Sequence, residues 1–84
     1  MLGALRIVVA DDHEIVRQGI RALLQGHPGW EVCGEAANGR EAVEKTTQLK
    51  PDIVILDIGM PSLNGLDATR QILHDDPQAK VLIL

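Results

Sequence analysis

Three carboxylates stand where strands built for burial come to an end. Ile53-Val54-Ile55-Leu56 is an uninterrupted apolar run that stops on Asp57, and Leu5-Arg6-Ile7-Val8-Val9-Ala10 stops on Asp11-Asp12. A charge at the exit of a buried strand is costly unless a cation or hydrogen-bond donors compensate it, or its pKa shifts. Converging carboxylates repel one another, and hard oxygen donors carrying that charge attract Mg²⁺, with Mn²⁺ as the alternative. Magnesium uses only one or two carboxylates directly and keeps several waters, which leaves coordination positions open to a phosphoryl oxygen.

The elements that must position these acids alternate as βαβαβαβ, with no low-complexity segment between them. After the first strand, Ile15, Val16, Gly19, Ile20, Leu23 and Leu24 recur at helical spacing, which predicts a helix over about 13–25 ending near Gly26. Glu31 to Ala36 carries acids at alternate positions and reads as an edge strand with one face in water. Asn38-Gly39 turns the chain into a second helix whose inner side is Ala42, Val43, Thr46 and Leu49, and Lys50-Pro51 ends it. The third strand, Ile53 to Asp57, leads through a loop from Ile58 to Asn64, with Asn64 as cap of a third helix. Leu66, Thr69, Ile72 and Leu73 are expected on that helix's apolar face, Asp75-Asp76-Pro77 closes it, and Val81 to Leu84 is a fourth strand. Right-handed crossovers place helices on both faces of a parallel sheet. An edge-like second strand beside fully apolar first and third strands gives the order 2-1-3-4, with the switch point between strands one and three. Ligands bind there, outside the carboxyl ends of the strands, and Asp11, Asp12 and Asp57 all fall at that place.

At 84 residues the chain has room for one domain, 1–84, and its 45% hydrophobic content fits a packed core rather than disorder. Trp30 is the only aromatic residue, so that core is aliphatic. A net charge of -4 with no basic stripe disfavours nonspecific nucleic-acid binding or an anionic membrane surface. Met1-Leu2-Gly3-Ala4 lacks the features of a signal peptide, and no apolar run reaches the length of a membrane span, so a cytoplasmic location is expected. A single cysteine, Cys33, suits a reducing compartment and reads as a small hydrophobe on a strand.

Ile7-Val8-Val9-Ala10-Asp11-Asp12-His13, the run Pro51 to Pro61 and the pair Asn64-Gly65 together resemble the receiver domain of two-component response regulators. The Asp-Asp-His opening and the Leu-Asn-Gly loop are most similar to receivers of the LuxR-type, NarL/FixJ-like class. The resemblance implies a flavodoxin-like, doubly wound α/β fold and a phosphoacceptor role for Asp57, which would take a phosphoryl group from a phosphohistidine on a sensor histidine kinase. It also implies Mg²⁺ held directly by Asp12 and Asp57, by Asp11 largely through water, and by the backbone carbonyl of Gly59. Such a domain takes part in its own phosphorylation and is not a turnover enzyme, and it is expected to control transcription in the full-length protein. Met60, Pro61 and Gly65 would shape the loop beside the site. His13 is expected to face solvent at the start of the first helix, His27 and His74 lie at the opposite edge of the sheet, and Arg17 and Arg21 read as a solvated helix face.

A complete receiver has five strands and five helices, so the resemblance implies truncation after strand four, without the fifth strand and helices four and five. The hydroxyl residue and lysine expected beyond strand four are not matched, and Lys80 sits at the wrong end of the sheet to replace them. Val81 to Leu84 shows no polar alternation, so both its faces expect cover and its edge expects a partner, which predicts a homo-oligomer. Two further readings stay open: a metal-dependent phosphohydrolase, disfavoured because no second acid closely follows Asp57, and an interaction module without signalling.

Overall fold

The alternation of apolar runs and helical periods folds into β1 (Leu5–Ala10), α1 (Glu14–Gln25), β2 (Trp30–Ala36), α2 (Gly39–Leu49), β3 (Ile53–Leu56), α3 (Gly65–Asp75) and β4 (Lys80–Ile83). The computed structural model describes residues 4–84, so the signal-peptide reading of Met1 to Gly3 lies outside the described residues. All strands are parallel and the sheet order is β2-β1-β3-β4, as expected. Helices cover both faces. Val8, Ala10, Val54 and Leu56 point to one side and pack with Ala42, Val43, Ala68 and Ile72 of α2 and α3. Ile7, Val9 and Ile55 point to the other, where Ile20 and Leu24 of α1 meet them. This period-two division explains why β1 and β3 are apolar at every position beyond Arg6, since each face of each strand is in a core. Each fully buried aliphatic side chain stabilises the domain by about 1.5–3 kcal/mol.

Several expectations need correction. The stripe on α1 is only partly used: Ile20 and Leu24 pack, whereas Ile15 is 84% exposed and Val16 and Leu23 are exposed too. The helix packs on β1 and β2 alone among the elements with substantial contact, so part of its apolar surface has no strand beneath it. On α3 the inner face is Gly65, Ala68 and Ile72, while Leu66 and Leu73 are exposed. Ala68 permits the close approach of α3 that larger side chains would prevent.

The register of β2 also departs from simple alternation. A bulge between the pairs Ile7↔Val32 and Val8↔Gly34 leaves Cys33 extra, and Cys33 packs into the α2 and α3 side of the core. The extra residue reverses the facing of Gly34, Glu35 and Ala36 relative to simple alternation. Glu31 therefore meets Arg6, which reaches the C-terminal carbonyls of α2, whereas Glu35 meets Arg17 and Arg21 of α1. The two acids lie on opposite faces, and Arg17 and Arg21 are clamps between α1 and β2 rather than a free basic surface. Trp30 begins β2, where its ring stacks on His27 at a centroid distance of 3.8 Å.

Asn38 and Asn64 cap α2 and α3, each accepting a hydrogen bond from the backbone N–H three residues on. Lys50 ends α2 in the left-handed region, with φ 48°, and donates its N–H to the Thr46 carbonyl. β4 begins one residue earlier than the apolar run and pairs only with β3 among the described residues. Its side chains alternate between exposed and half-buried, so the cover anticipated for both faces is not present among the described residues.

Candidate functional site

Register brings the acids together. Ala10 pairs with Leu56 in the parallel ladder, so the next residues, Asp11 and Asp57, leave neighbouring strands side by side. The backbone continues the ladder one step beyond the strands, with Asp57 N–H donating to the Ala10 carbonyl and Asp11 N–H to the Ala36 carbonyl, both at 3.0 Å. Asp11, Asp12, His13 and Asp57 each offer a donor atom, and these atoms all lie within 4.8 Å of one another.

Their surroundings differ. Asp11 is 5% exposed; its Oδ1 accepts the His13 backbone N–H at 2.8 Å, and its carbonyl accepts Arg17 Nη1 at 2.7 Å. Asp57 is half-buried and Asp12 is exposed. His13 faces solvent as expected, with 69% of its side chain exposed, yet its Nδ1 lies 3.2 Å from Oδ1 of both Asp11 and Asp12. The hydrogen bond with Asp11 and the negative charge of Asp12 raise the His13 pKa above its ordinary 6.5, against an opposing effect of desolvation. Sequence spacing places His13 beside the acids without revealing that its ring turns back on them.

The loop that carries the chain away from Asp57 is held from below and from both sides. Met60 is buried in the larger core, Gly65 N–H donates to the Ile58 carbonyl at 2.9 Å, and Gly39 N–H donates to the Pro61 carbonyl at 3.4 Å. A Cβ on Gly39 would overlap the Leu63 carbonyl, so α2 can brace the loop only with glycine there. Residue types alone give Met60 no more than a loop role; an apolar residue between Gly59 and Pro61 is the available sign that it plugs the core. Ser62, at φ 70°, takes up the backbone strain of the turn. Gly59 is exposed, and a Cβ there would meet nothing within 4 Å. An apolar hollow of about 120 Å³ lies between the C-terminal ends of α2 and α3, at the other end of the sheet, and takes no part in this site.

The donor set fits a hard divalent cation. Three carboxylates meet, and the ion-pair partner of Asp11 and Asp12 among the described residues is His13 alone, so their repulsion is not relieved by lysine or arginine.

A doubly wound parallel sheet with an acidic cluster at its switch point defines a flavodoxin-like domain whose chemistry sits at the strand ends. Residues 7–84 match the response regulator receiver domain, and the chain belongs to that family. It is 47% identical over 78 residues to the chemotaxis protein CheY of Thermotoga maritima, covering 93% of this chain and 64% of that protein's length. A LuxR-family two-component response regulator from Aurantimonas sp. SI85-9A1 superimposes with a TM-score of 0.92 at 42% identity, over 96% of this chain and 58% of that one. The CheX-CheY-BeF3-Mg complex from Borrelia burgdorferi superimposes with a TM-score of 0.89 at 28% identity, over 94% of this chain and 60% of that one. The neighbours thus include the LuxR class anticipated from the Asp-Asp-His opening. Among the described residues no helix is long and apolar enough to cross a membrane.

Proposed function

We propose that this chain is a single phosphoacceptor module in which Asp57 receives a phosphoryl group from a phosphohistidine on a sensor histidine kinase. A carboxylate oxygen of Asp57 forms the new bond to phosphorus, the phosphorus–nitrogen bond breaks, and the departing imidazole takes up a proton. The observation that carries this reading is the convergence of Asp57 with Asp11 and Asp12 at the switch point, in a chain of the receiver family. Asp12 and Asp57 would hold Mg²⁺ directly, with Asp11 acting through water and Gly59 through its carbonyl; Mn²⁺ would serve in its place. Bound there, the ion supplies neutralisation of charge on the transferring group. The related Borrelia CheY, whose complex contains BeF3 and Mg²⁺, supports a part for Mg²⁺ in this reading. Asp11, buried and tied to the His13 and Arg17 contacts, sets the position of the β1 exit. The braced loop keeps Asp57 oriented.

Incubation with a small phosphoramidate donor and Mg²⁺, followed by intact mass, should show one phosphoryl adduct on the wild type and none on Asp57→Asn. Steady turnover of a phosphomonoester in place of a single adduct would overturn the reading in favour of a phosphohydrolase. For the whole protein the reading is a cytoplasmic regulator that controls transcription, with DNA binding outside these residues, and the LuxR-family neighbour supports the regulatory part of it.

Self-association belongs to the same reading. Leu82 of β4 is 48% exposed, Leu84 beyond it is exposed as well, and the outer edge of β4 has no strand partner among the described residues. An apolar open edge pairs readily with a second copy. Light scattering that shows a folded monomer at high micromolar concentration would exclude it.

A further inference from the structure

We propose that two copies of this chain join through the outer edges of β4 in an antiparallel pair that carries the partner's Lys80 to the Asp57 end of the sheet. The inference rests on the self-association reading above and fixes its edge, its register and its consequence for the acids; it does not require phosphoryl transfer.

Backbone direction selects the register. Leu84 N–H donates to the Leu56 carbonyl, so Leu84 turns its backbone toward β3, and Leu82 and Lys80 do the same by alternation. The N–H and C=O groups of Val81 and Ile83 then point outward. Setting Val81 against the partner's Ile83, about a twofold axis at Leu82, satisfies every one of them. A slide that brings Ala79 into the pair wastes an acceptor, because the Ala79 N–H is already donated to the Asp76 carbonyl. A slide of one residue would set opposite faces against each other. The other edge of the sheet is less suited, since the bulge at Cys33 interrupts β2, whereas β4 runs in unbroken register.

Burial and charge favour the same pairing. Lys80 and Leu82 lie level with Ile53 and Ile55, so they share the face that α1 covers only over β1 and β2. At the axis the Leu82 side chains of the two copies meet, each 48% exposed in the single chain, and the stem of the partner's Lys80 covers Leu84. A lysine on an edge ordinarily discourages pairing by its charge. Here it makes no ion pair among the described residues, and the twofold axis moves it from the far end of the sheet to acids that lack a lysine or arginine. Asp57 follows Leu56, which pairs with Ile83, so the row across the sheet reads Asp57, Leu84, the partner's Lys80. Two strand spacings separate the ends of that row by about 10 Å between Cα atoms. A lysine stem of about 6 Å and a carboxylate reach of about 3 Å close the gap to ion-pair distance.

The test is zero-length carbodiimide cross-linking of an equal mixture of isotopically light and heavy full chains, read by mass after proteolysis. Lys80 should be joined to Asp57 in light–heavy pairs, and light scattering should show a dimer. Val81→Pro removes an outward N–H without breaking the β3 ladder, and Leu82→Lys sets like charges together at the axis; both should stay folded by circular dichroism and lose the dimer. Lys80→Gln should weaken dimerisation about threefold to tenfold, since one exposed ion pair is lost at each end. A folded wild-type monomer at high micromolar concentration, a dimer that survives both Val81→Pro and Leu82→Lys, or a Lys80 to Asp57 link absent from light–heavy pairs would overturn the inference, while Asp57 labelling would still stand. Light–heavy cross-linking in a wild type that takes no phosphoryl adduct would support the interface and overturn the acceptor reading alone.

Discussion

Gly65, at the first turn of α3, lies directly against the backbone of Asp57. A Cβ at position 65 would stand 2.6 Å from the Asp57 carbonyl oxygen and 2.7 Å from the Ile58 Cα, with no flexible side chain to give way. The glycine thus lets α3 begin immediately beside the strand exit and hold the Asp57 backbone in place.

Gly65→Ala should push this backbone apart. Overpacking of this kind costs about 1–3 kcal/mol, to be read from chemical denaturation. Asp57 labelling should slow by about tenfold or more at a temperature where the variant is still folded, because small displacements of a reacting group are costly. Gly19→Ala is the contrasting case: its Cβ would meet nothing within 4 Å on the exposed face of α1. There the substitution should stabilise by about 0.5–1 kcal/mol.

Arg17 and Arg70 separate a structural clamp from a surface pair. The Arg17 side chain is 16% exposed and joins Glu35 to the Asp11 carbonyl, whereas Arg70 is 80% exposed and reaches only Asp67 one turn away. Arg17→Ala should destabilise by about 1.5–3 kcal/mol, as for lost hydrogen bonds to a charged group. Arg70→Ala should change stability by less than about 0.5 kcal/mol. Equal effects in urea melts would contradict the clamp.

Lys50 closes α2 in a conformation that suits glycine, at φ 48° and ψ 60°. Its backbone N–H bonds the Thr46 carbonyl and its own carbonyl accepts from Arg6, contacts that a glycine would keep. Lys50→Gly should therefore stabilise by up to about 1 kcal/mol, relief of left-handed strain exceeding the added freedom of the unfolded chain. Thermal melts would show a raised midpoint.

His13 should titrate above the ordinary 6.5, because Asp11 and Asp12 favour the imidazolium. Its folded pKa is raised, so the associated stabilisation is full below the unfolded pKa and is lost as pH rises through the folded value. Asp11→Asn should bring the midpoint back toward the ordinary value, and saturating Mg²⁺ should also lower it. Proton NMR of the imidazole measures each shift.

Much of the fold was legible because its strands and helices write their burial into residue types. The fully apolar runs at Ile53 to Leu56 and Ile7 to Ala10 revealed strands covered on both faces, and Asn64 at the head of its helix revealed the cap. Less legible were features that depend on how elements meet. Leu66 and Leu73 have the spacing of an inner helical face, but Gly65, Ala68 and Ile72 occupy it, since close approach favours small residues over large ones. Arg17 and Arg21 read as solvated until the bulge at Cys33 turned Glu35 toward them.

The sequence by itself determined the parallel α/β architecture and the arrival of Asp11, Asp12 and Asp57 at strand ends, because both follow from periodicity and chain order; the strand order was suggested by the edge-like second strand and implied by the family resemblance. Only the tertiary structure decided that the β1 and β3 register sets Asp11 beside Asp57, that Gly65 abuts the Asp57 backbone, and that the His13 ring turns toward the acids. These relationships depend on distances of a few ångströms between segments far apart in the chain, or on a rotamer chosen by the local field. No local pattern of residue types encodes either one.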